Sequence, residues 1–181
     1  MKKVLLLCIM SLMALGLSAQ EYVDLGLPSG TKWKTVNETK PNDSVDLYTY
    51  EEALELFGNQ LPTKEQLEEL KDKCVWKWNE DKKGCTVVGP NGKTIFLPAA
   101  CHRYCAGVVN SDCSYGRLWS STPENSNMNW YGVSGGDTGG YAWRLDFDLE
   151  EVSTGPVPKC LGLSVRLVKN GSIGNGAKNK E

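Results

Sequence analysis

Apolar positions recur along this chain in two rhythms, and the change from one to the other divides it. "YVDLGLPSGTKWKTV" alternates over short spans on either side of Pro28-Ser29-Gly30. That pattern predicts two short strands, Tyr22 to Leu25 and Lys32 to Val36, joined by a turn. "NETKPNDSVD" is a polar loop. The rhythm then turns helical: Thr49 with Glu52 makes a capping-box pattern before "YEEALELF", and Gly58 suits a left-handed stop. Thr63 with Gln66 repeats the box before "KEQLEELKDK", where Leu67 and Leu70 form an apolar stripe and Pro62 sits just outside.

After Lys73 the helical period disappears. "CVWKW" puts Cys74, Trp76 and Trp78 on one face, and "NEDKKG" turns the chain into "CTVVG". A "PNGK" turn leads to the strand "TIFLPAA", and "GRLWSS" is a further strand. In "YAWRLDFDL" the residues Trp143, Leu145, Phe147 and Leu149 face one way, opposite Arg144, Asp146 and Asp148. "LGLSVRLV" closes the pattern in the same manner. Two early helices followed by many short strands and long loops predict an α+β domain, and no internal repeat is present.

The two ends differ from this middle. "MKK", the apolar run "VLLLCIMSLMALGL" and the small-residue end "SAQ" predict a cleavable signal peptide over residues 1–19, cut after Ala19. The run is too short for an anchored span, and Cys8 lacks the small residues that precede a lipid-anchored cysteine. The domain is expected over 20–169. The Gly-, Asn- and Lys-rich residues 170–181 have almost nothing to bury and are expected to be disordered.

Charge narrows the partners. Removing Lys2 and Lys3 leaves 18 basic against 22 acidic side chains, a net of −4. With no Lys/Arg cluster there is no electrostatic footprint for nucleic acid, nor for an anionic membrane surface.

Six cysteines follow the leader: Cys74, Cys85, Cys101, Cys105, Cys113 and Cys160. An even count in an exported chain points to disulfides rather than to zinc, despite the spacing of Cys101, His102 and Cys105. Cys74 and Cys85 flank the "NEDKKG" hairpin and are expected to pair. Cys105 and Cys113 bracket a short loop, which leaves Cys101 with Cys160 to tie the middle of the domain to its end. Cys101 and Cys105 are near neighbours, so an exchange between these two pairs stays open.

Several stretches resemble chemistry. Ser120 and Ser121 in "LWSSTPENSN" look like nucleophiles, but there is no G-x-S-x-G elbow and the only histidine is His102. Without a general base neither hydroxyl is expected to be a nucleophile. His102, on a stapled loop beside Arg103 and Tyr104, is expected to be polar surface. "PENSNMNW" and "DFDLEE" carry oxygens that suit calcium, although the acidic run is better explained as the solvated face of a strand. "SGGDTGG" lacks the lysine and the helix of a phosphate loop. It is bordered by Trp130, Tyr131 and Tyr141, the candidate ligand-binding residues, whose rings either belong to the core or are free to stack on a sugar or fill a partner's pocket. No metal or cofactor is expected.

The blocks "YVDLGLPSGTKW", "LPTKEQLEEL", "GPNGKTIFLPAA", "LWSSTP" and "LSVRLV" carry a resemblance covering residues 22 to 168. In this order they resemble the Fibrobacter succinogenes major paralogous domain, a family of secreted bacterial domains mostly of unknown activity. The resemblance implies a C-type-lectin-like fold, shared with the formylglycine-generating enzymes: two helices, small twisted antiparallel sheets, and first and last strands lying together. It further implies that the "WSST" block ends a buried strand, with Trp119 in the core and the hydroxyls satisfying backbone groups in the next turn. Together with the signal peptide and the absence of a complete catalytic set, it supports a binding role toward a glycan or a surface protein. The alternative is a copper- or thiol-dependent oxidase, since soft thiolates suit Cu(I), but the motifs surrounding that enzyme's cysteine pair are missing. The family often has a cysteine where Val36 stands here, which deprives Cys74 of its usual partner, while Cys101, Cys105, Cys113 and Cys160 are additions to the family pattern.

Overall fold

The computed structural model describes residues 21–110, 112–125 and 139–171. The expected leader over 1–19 and nearly all of the expected tail therefore lie outside the described residues. Nine strands and two α-helices follow one another within that range: β1 (Tyr22–Asp24), β2 (Lys32–Lys34), α1 (Tyr50–Phe57), α2 (Lys64–Lys73), β3 (Val75–Asn79), β4 (Gly84–Val88), β5 (Thr94–Pro98), β6 (Gly116–Glu124), β7 (Tyr141–Phe147), β8 (Val152–Pro158) and β9 (Val168–Lys169). The class is α+β, as the order of periodicities predicts. The strands form three antiparallel three-stranded sheets, β1-β2-β9, β3-β4-β5 and β6-β7-β8.

Both helices begin where their capping boxes are written. Thr49 accepts from the Glu52 amide while the Glu52 carboxylate accepts from the Thr49 amide. Thr63 and Gln66 repeat the exchange. Each box satisfies two donors that a helix start otherwise leaves orphaned. α1 stops at Gly58, at φ 49 and ψ −120, so the φ is positive as expected but the ψ lies outside the left-handed well. A 3₁₀ turn, Gly58–Gln60, follows.

The first and last strands meet. Trp33 of β2 pairs with Val168 of β9, and the contact continues as Lys34 N–H to Leu167 O, Glu38 N–H to Val165 O and Tyr48 N–H to Leu163 O. The closing segment differs from a half-solvated strand, however. Every residue from Gly162 to Val168 is buried, because loops and sheets cover it on both sides. Arg166 is the consequence: fully buried, its guanidinium donates to Asn37 Oδ1, the Lys34 carbonyl and the Phe96 carbonyl. Burial lowers its pKa to about 10, so it remains a cation at neutral pH and ties the end of β2 to β5.

One apolar cluster draws on all three sheets and α2: Leu25, Trp33 and Val168; Val87, Ile95 and Leu97; Leu118, Leu145 and Phe147; Leu67 and Leu70. Trp76 and Trp78 pack against it together with Cys74, as the alternation of "CVWKW" requires. A second cluster joins α1 to the far side of β6 and β7 through Tyr50, Ala53, Trp119, Ala142 and Val165. β7 is thus covered on both faces at its start. It ends at Phe147, which leaves Leu149 outside the strand and 62% exposed. β8 is not among the strands the pattern predicts, and it carries Gly155, Pro156 and Pro158, residues that disfavour a strand interior. It pairs only with β7, so its proline nitrogens face an edge where no ladder donor is required.

Candidate functional site

The six cysteines divide into four that are bonded and two that are not. Cys101 bonds Cys113 (Cα–Cα 4.4 Å) and Cys105 bonds Cys160 (4.9 Å), while Cys74 and Cys85 are free thiols. The expected Cys105–Cys113 and Cys101–Cys160 pairs are therefore exchanged, and the expected Cys74–Cys85 bond is absent.

Register explains each correction. Arg103 and Gly162 exchange both backbone hydrogen bonds. Two residues further along the antiparallel arms, Cys105 falls opposite Cys160. Arg103 also bridges Val109, and Asn110 N–H donates to the His102 carbonyl, so residues 102–110 double back on themselves. This small hairpin returns Cys113 to Cys101 at its base, with Cys105 at its tip. In the β3–β4 hairpin it is Trp78 that lies opposite Cys85. Cys74 is four residues further along, roughly 13 Å away at strand rise, well beyond the roughly 7 Å Cα limit for a disulfide. The same separation prevents the two free thiols from sharing one copper ion. Burial pushes both thiols up to about 11, so neither is a ready nucleophile.

The hairpin is held rigid from below. His102 is only 3% exposed, not polar surface. Its Nδ1 lies 2.7 Å from the Tyr115 hydroxyl, which also accepts from Asn110 Nδ2 at 3.0 Å. The Tyr104 ring packs edge-on against the imidazole at 4.6 Å. Burial and the Arg117 cation lower the His102 pKa, so the ring is neutral at pH 7 and joined to Tyr115 by one hydrogen bond. On the outer side Arg103 pairs with Asp43 at 2.7 Å, and this hydrogen bond holds the Asp43 carboxyl below the usual carboxylate range.

At the base of the hairpin lies a groove of about 400 Å³ lined by Trp78, Glu80, Lys83, Cys113, Ser114 and Leu149. Its floor is aromatic and aliphatic. Glu80 and Lys83 neutralise each other on the rim at 2.8 Å, and Lys83 holds the Glu80 carboxyl below its usual range. A smaller recess of about 220 Å³ is lined by residues that include Tyr115, Arg117, Asp146, Asp148 and Glu151. Asp146 is engaged by Arg117 at 3.0 Å and by Arg144. Burial nevertheless pushes its carboxyl above the usual range. Asp148 Oδ1 accepts the Glu150 and Glu151 amides and closes the β7–β8 turn. The acidic run is thereby used in ion pairs and turn closure, and among the described residues no group of three His, Cys, Asp or Glu side chains is placed to hold a metal.

The remaining candidates fall elsewhere. Ser120 Oγ accepts the Thr122 amide at 3.0 Å, Ser121 N–H donates to the Pro62 carbonyl, and Thr122 Oγ1 accepts the Lys64 amide at the start of α2. These hydroxyls lock the irregularity between Trp119 and Pro123 in β6 against the helix start, as expected of structural groups. Trp130 and Tyr131 lie outside the described residues. Tyr141 is 4% exposed within β7, so its ring belongs to the interior and offers no stacking face. It pairs with Glu124, at the end of the sheet away from the groove. Sequence reasoning missed the groove because its walls come from three separate turns. The one available signal was Leu149, an apolar residue in an acidic turn.

Scans of protein-family models, of curated proteins and of solved structures returned no match to this chain.

Proposed function

We infer that this chain is an exported binding domain of C-type-lectin-like type that recognises a glycan or a protein. The observation that carries the reading is the stapled end of the molecule: two disulfides and a buried histidine hold a hairpin rigid beside an aromatic-floored groove. Preorganisation of this kind reduces the ordering cost of binding, and a concave apolar floor with a few polar groups is the usual form of a ligand site. Export is supported by the disulfides, which persist in oxidising compartments, and by the leader-like N-terminal sequence. No helix among the described residues is long and apolar enough to cross a membrane. The five blocks resembling the Fibrobacter major paralogous domain support the fold assignment, as does the pairing of β2 with β9.

Glycan arrays and binding screens against surface proteins test the reading, with Trp78→Ala as the paired probe. The expected result is a ligand whose binding falls when Trp78 is truncated. A blank screen beside a positive hydrolase or oxidase assay overturns it.

A further inference from the structure

Three small sheets expose several edges, and the chain closes most of them itself. β1 is met by the turn before β5, where Asn91 N–H donates to the Leu25 carbonyl and Asn91 Nδ2 to the Asp24 carbonyl. β6 is met by the closing segment and by the residue before α2's cap: Trp119 N–H donates to Ser164 O and Ser121 N–H to Pro62 O. β5 gives its Phe96 carbonyl to Arg166 and ends in Pro98, while β8 carries Pro156 and Pro158. β9 is only two residues long.

β3 has none of these protections. Its five residues, Val75–Asn79, include no proline, and the strand pairs with β4 alone. Among the described residues nothing else takes a backbone N–H or carbonyl of this strand. Its outer side is therefore a row of donors and acceptors at strand spacing, which another extended backbone satisfies in register.

The side chains say which backbone. Val75, Lys77 and Asn79 share one face, with Val75 58% exposed and Lys77 also exposed. Trp76 and Trp78, on the other face, pack half-buried against the core. Nearby lysines are occupied: Lys71 pairs with Asp72, Lys83 with Glu80, and Lys82 lies over the Phe96 ring. Lys77, and Lys73 two residues before the strand, have no such partner among the described residues. Lys77 also argues against a second copy. Two antiparallel β3 strands about a two-fold axis through the strand centre set Lys77 beside Lys77, and like charges directly opposite are destabilising.

We propose that the β3 edge takes up an extended acidic segment of a partner protein as a fourth strand, with a carboxylate beside Lys77 and apolar side chains beside Trp76 and Trp78. This deepens the binding reading, on which it rests, by naming a protein partner and its chemistry. Main-chain hydrogen bonds supply the affinity and the alternating side chains the selectivity.

Amide chemical shifts of the full chain, followed during titration with a synthetic peptide, test this. The probe is Ser-Thr-Val-Glu-Val-Thr-Ser, capped at both ends, compared with its lysine-centred counterpart. The acidic peptide is expected to shift the amides of residues 75–79 at millimolar concentration, and the lysine-centred one to bind more weakly. Lys77→Glu, at an exposed position that leaves the fold intact, should reverse that order. Lys93→Glu, at an exposed turn lysine, changes the net charge equally and leaves the order as it is. The scale is about five-fold, for one cross-strand charge pair turned from attraction to repulsion.

Main-chain pairing is read by N-methylation. Alternate amides of a strand point the same way, so methylating the Glu amide and methylating both Val amides must differ: one blocks binding and the other spares it. An acidic peptide that shifts nothing in 75–79, N-methyl peptides that bind equally, or β3 shifts that grow with protein concentration alone each overturn the proposal. A glycan whose binding falls in Trp78→Ala, beside a β3 edge that ignores every peptide, overturns this inference alone and leaves the function standing.

Discussion

The β3-β4-β5 sheet and the hairpin at 102–110 each contain cysteines, yet only the hairpin is cross-linked. In the sheet, Val87, Ile95 and Leu97 are buried against α2 and the neighbouring strands, and Cys85 sits among them as one more small apolar side chain. In the hairpin the apolar residues face outward and there is no core beneath except His102 and Tyr115. Burial holds the first region and covalent bonds hold the second. A disulfide here marks a segment that folding alone would leave loose, and that segment borders the groove.

Breaking the staple is expected to have the largest effect. The Cys105–Cys160 bond closes a loop of 55 residues, for which chain-entropy reasoning gives roughly 4 kcal/mol. Urea unfolding of the double variant Cys105→Ala/Cys160→Ala should show a loss of that order, while amide exchange in β3-β4-β5 stays slow below the transition. Loss of protection in the sheet before the hairpin would reverse the comparison.

Breaking the core gives the next effect. Leu70→Ala removes a fully buried side chain of α2 and should cost roughly 3 kcal/mol by the same measurement, leaving both disulfides formed. Cutting a cap is smaller: Thr63→Ala deprives the Gln66 amide of its acceptor and should cost about 1 kcal/mol.

The smallest expected effect is a pH dependence confined to the hairpin. His102 has its pKa lowered in the folded state by burial and then by Arg117. The unfolded chain therefore binds a proton first as pH falls. Stability is intact above the unfolded value near 6.5 and declines as pH drops from there toward the folded pKa. His102→Gln should flatten this part of the profile of thermal midpoint against pH. Since His102 is the only histidine, its ring resonances report the folded pKa without overlap. Asp43, whose pKa is lowered chiefly by Arg103, adds a separate decline only at more acid pH.

Legibility in the sequence followed the range of the interactions. Both capping boxes were readable because Thr49 and Thr63 find their partners three residues away. The Cys74, Trp76, Trp78 face was readable because alternation is local. The structural role of Ser120, Ser121 and Thr122 was legible from the resemblance, and the lack of a catalytic base spoke against a nucleophile, although their partners at Pro62 and Lys64 were not legible. β8 was missed because Pro156 and Pro158 are tolerated only on an edge, and the edge is a property of the whole sheet. The disulfide exchange was missed for a similar reason. Spacing favours the shortest loop, whereas the bridge from Arg103 to Gly162, 59 residues apart in sequence, decides which sulfur faces which. The groove was invisible because Trp78, Ser114 and Leu149 meet only after folding.

Which cysteines are stapled decides whether the hairpin at 102–110 is held rigid beside the groove. Non-reducing peptide mapping of the chain purified without reductant, with thiols alkylated before and after denaturation, reads this directly. The predicted result is two linked peptide pairs, Cys101 with Cys113 and Cys105 with Cys160, and two thiols, Cys74 and Cys85, that alkylate only once the chain is unfolded. A peptide joining Cys74 to Cys85, or free thiols at Cys105 and Cys160 in the folded chain, would contradict it.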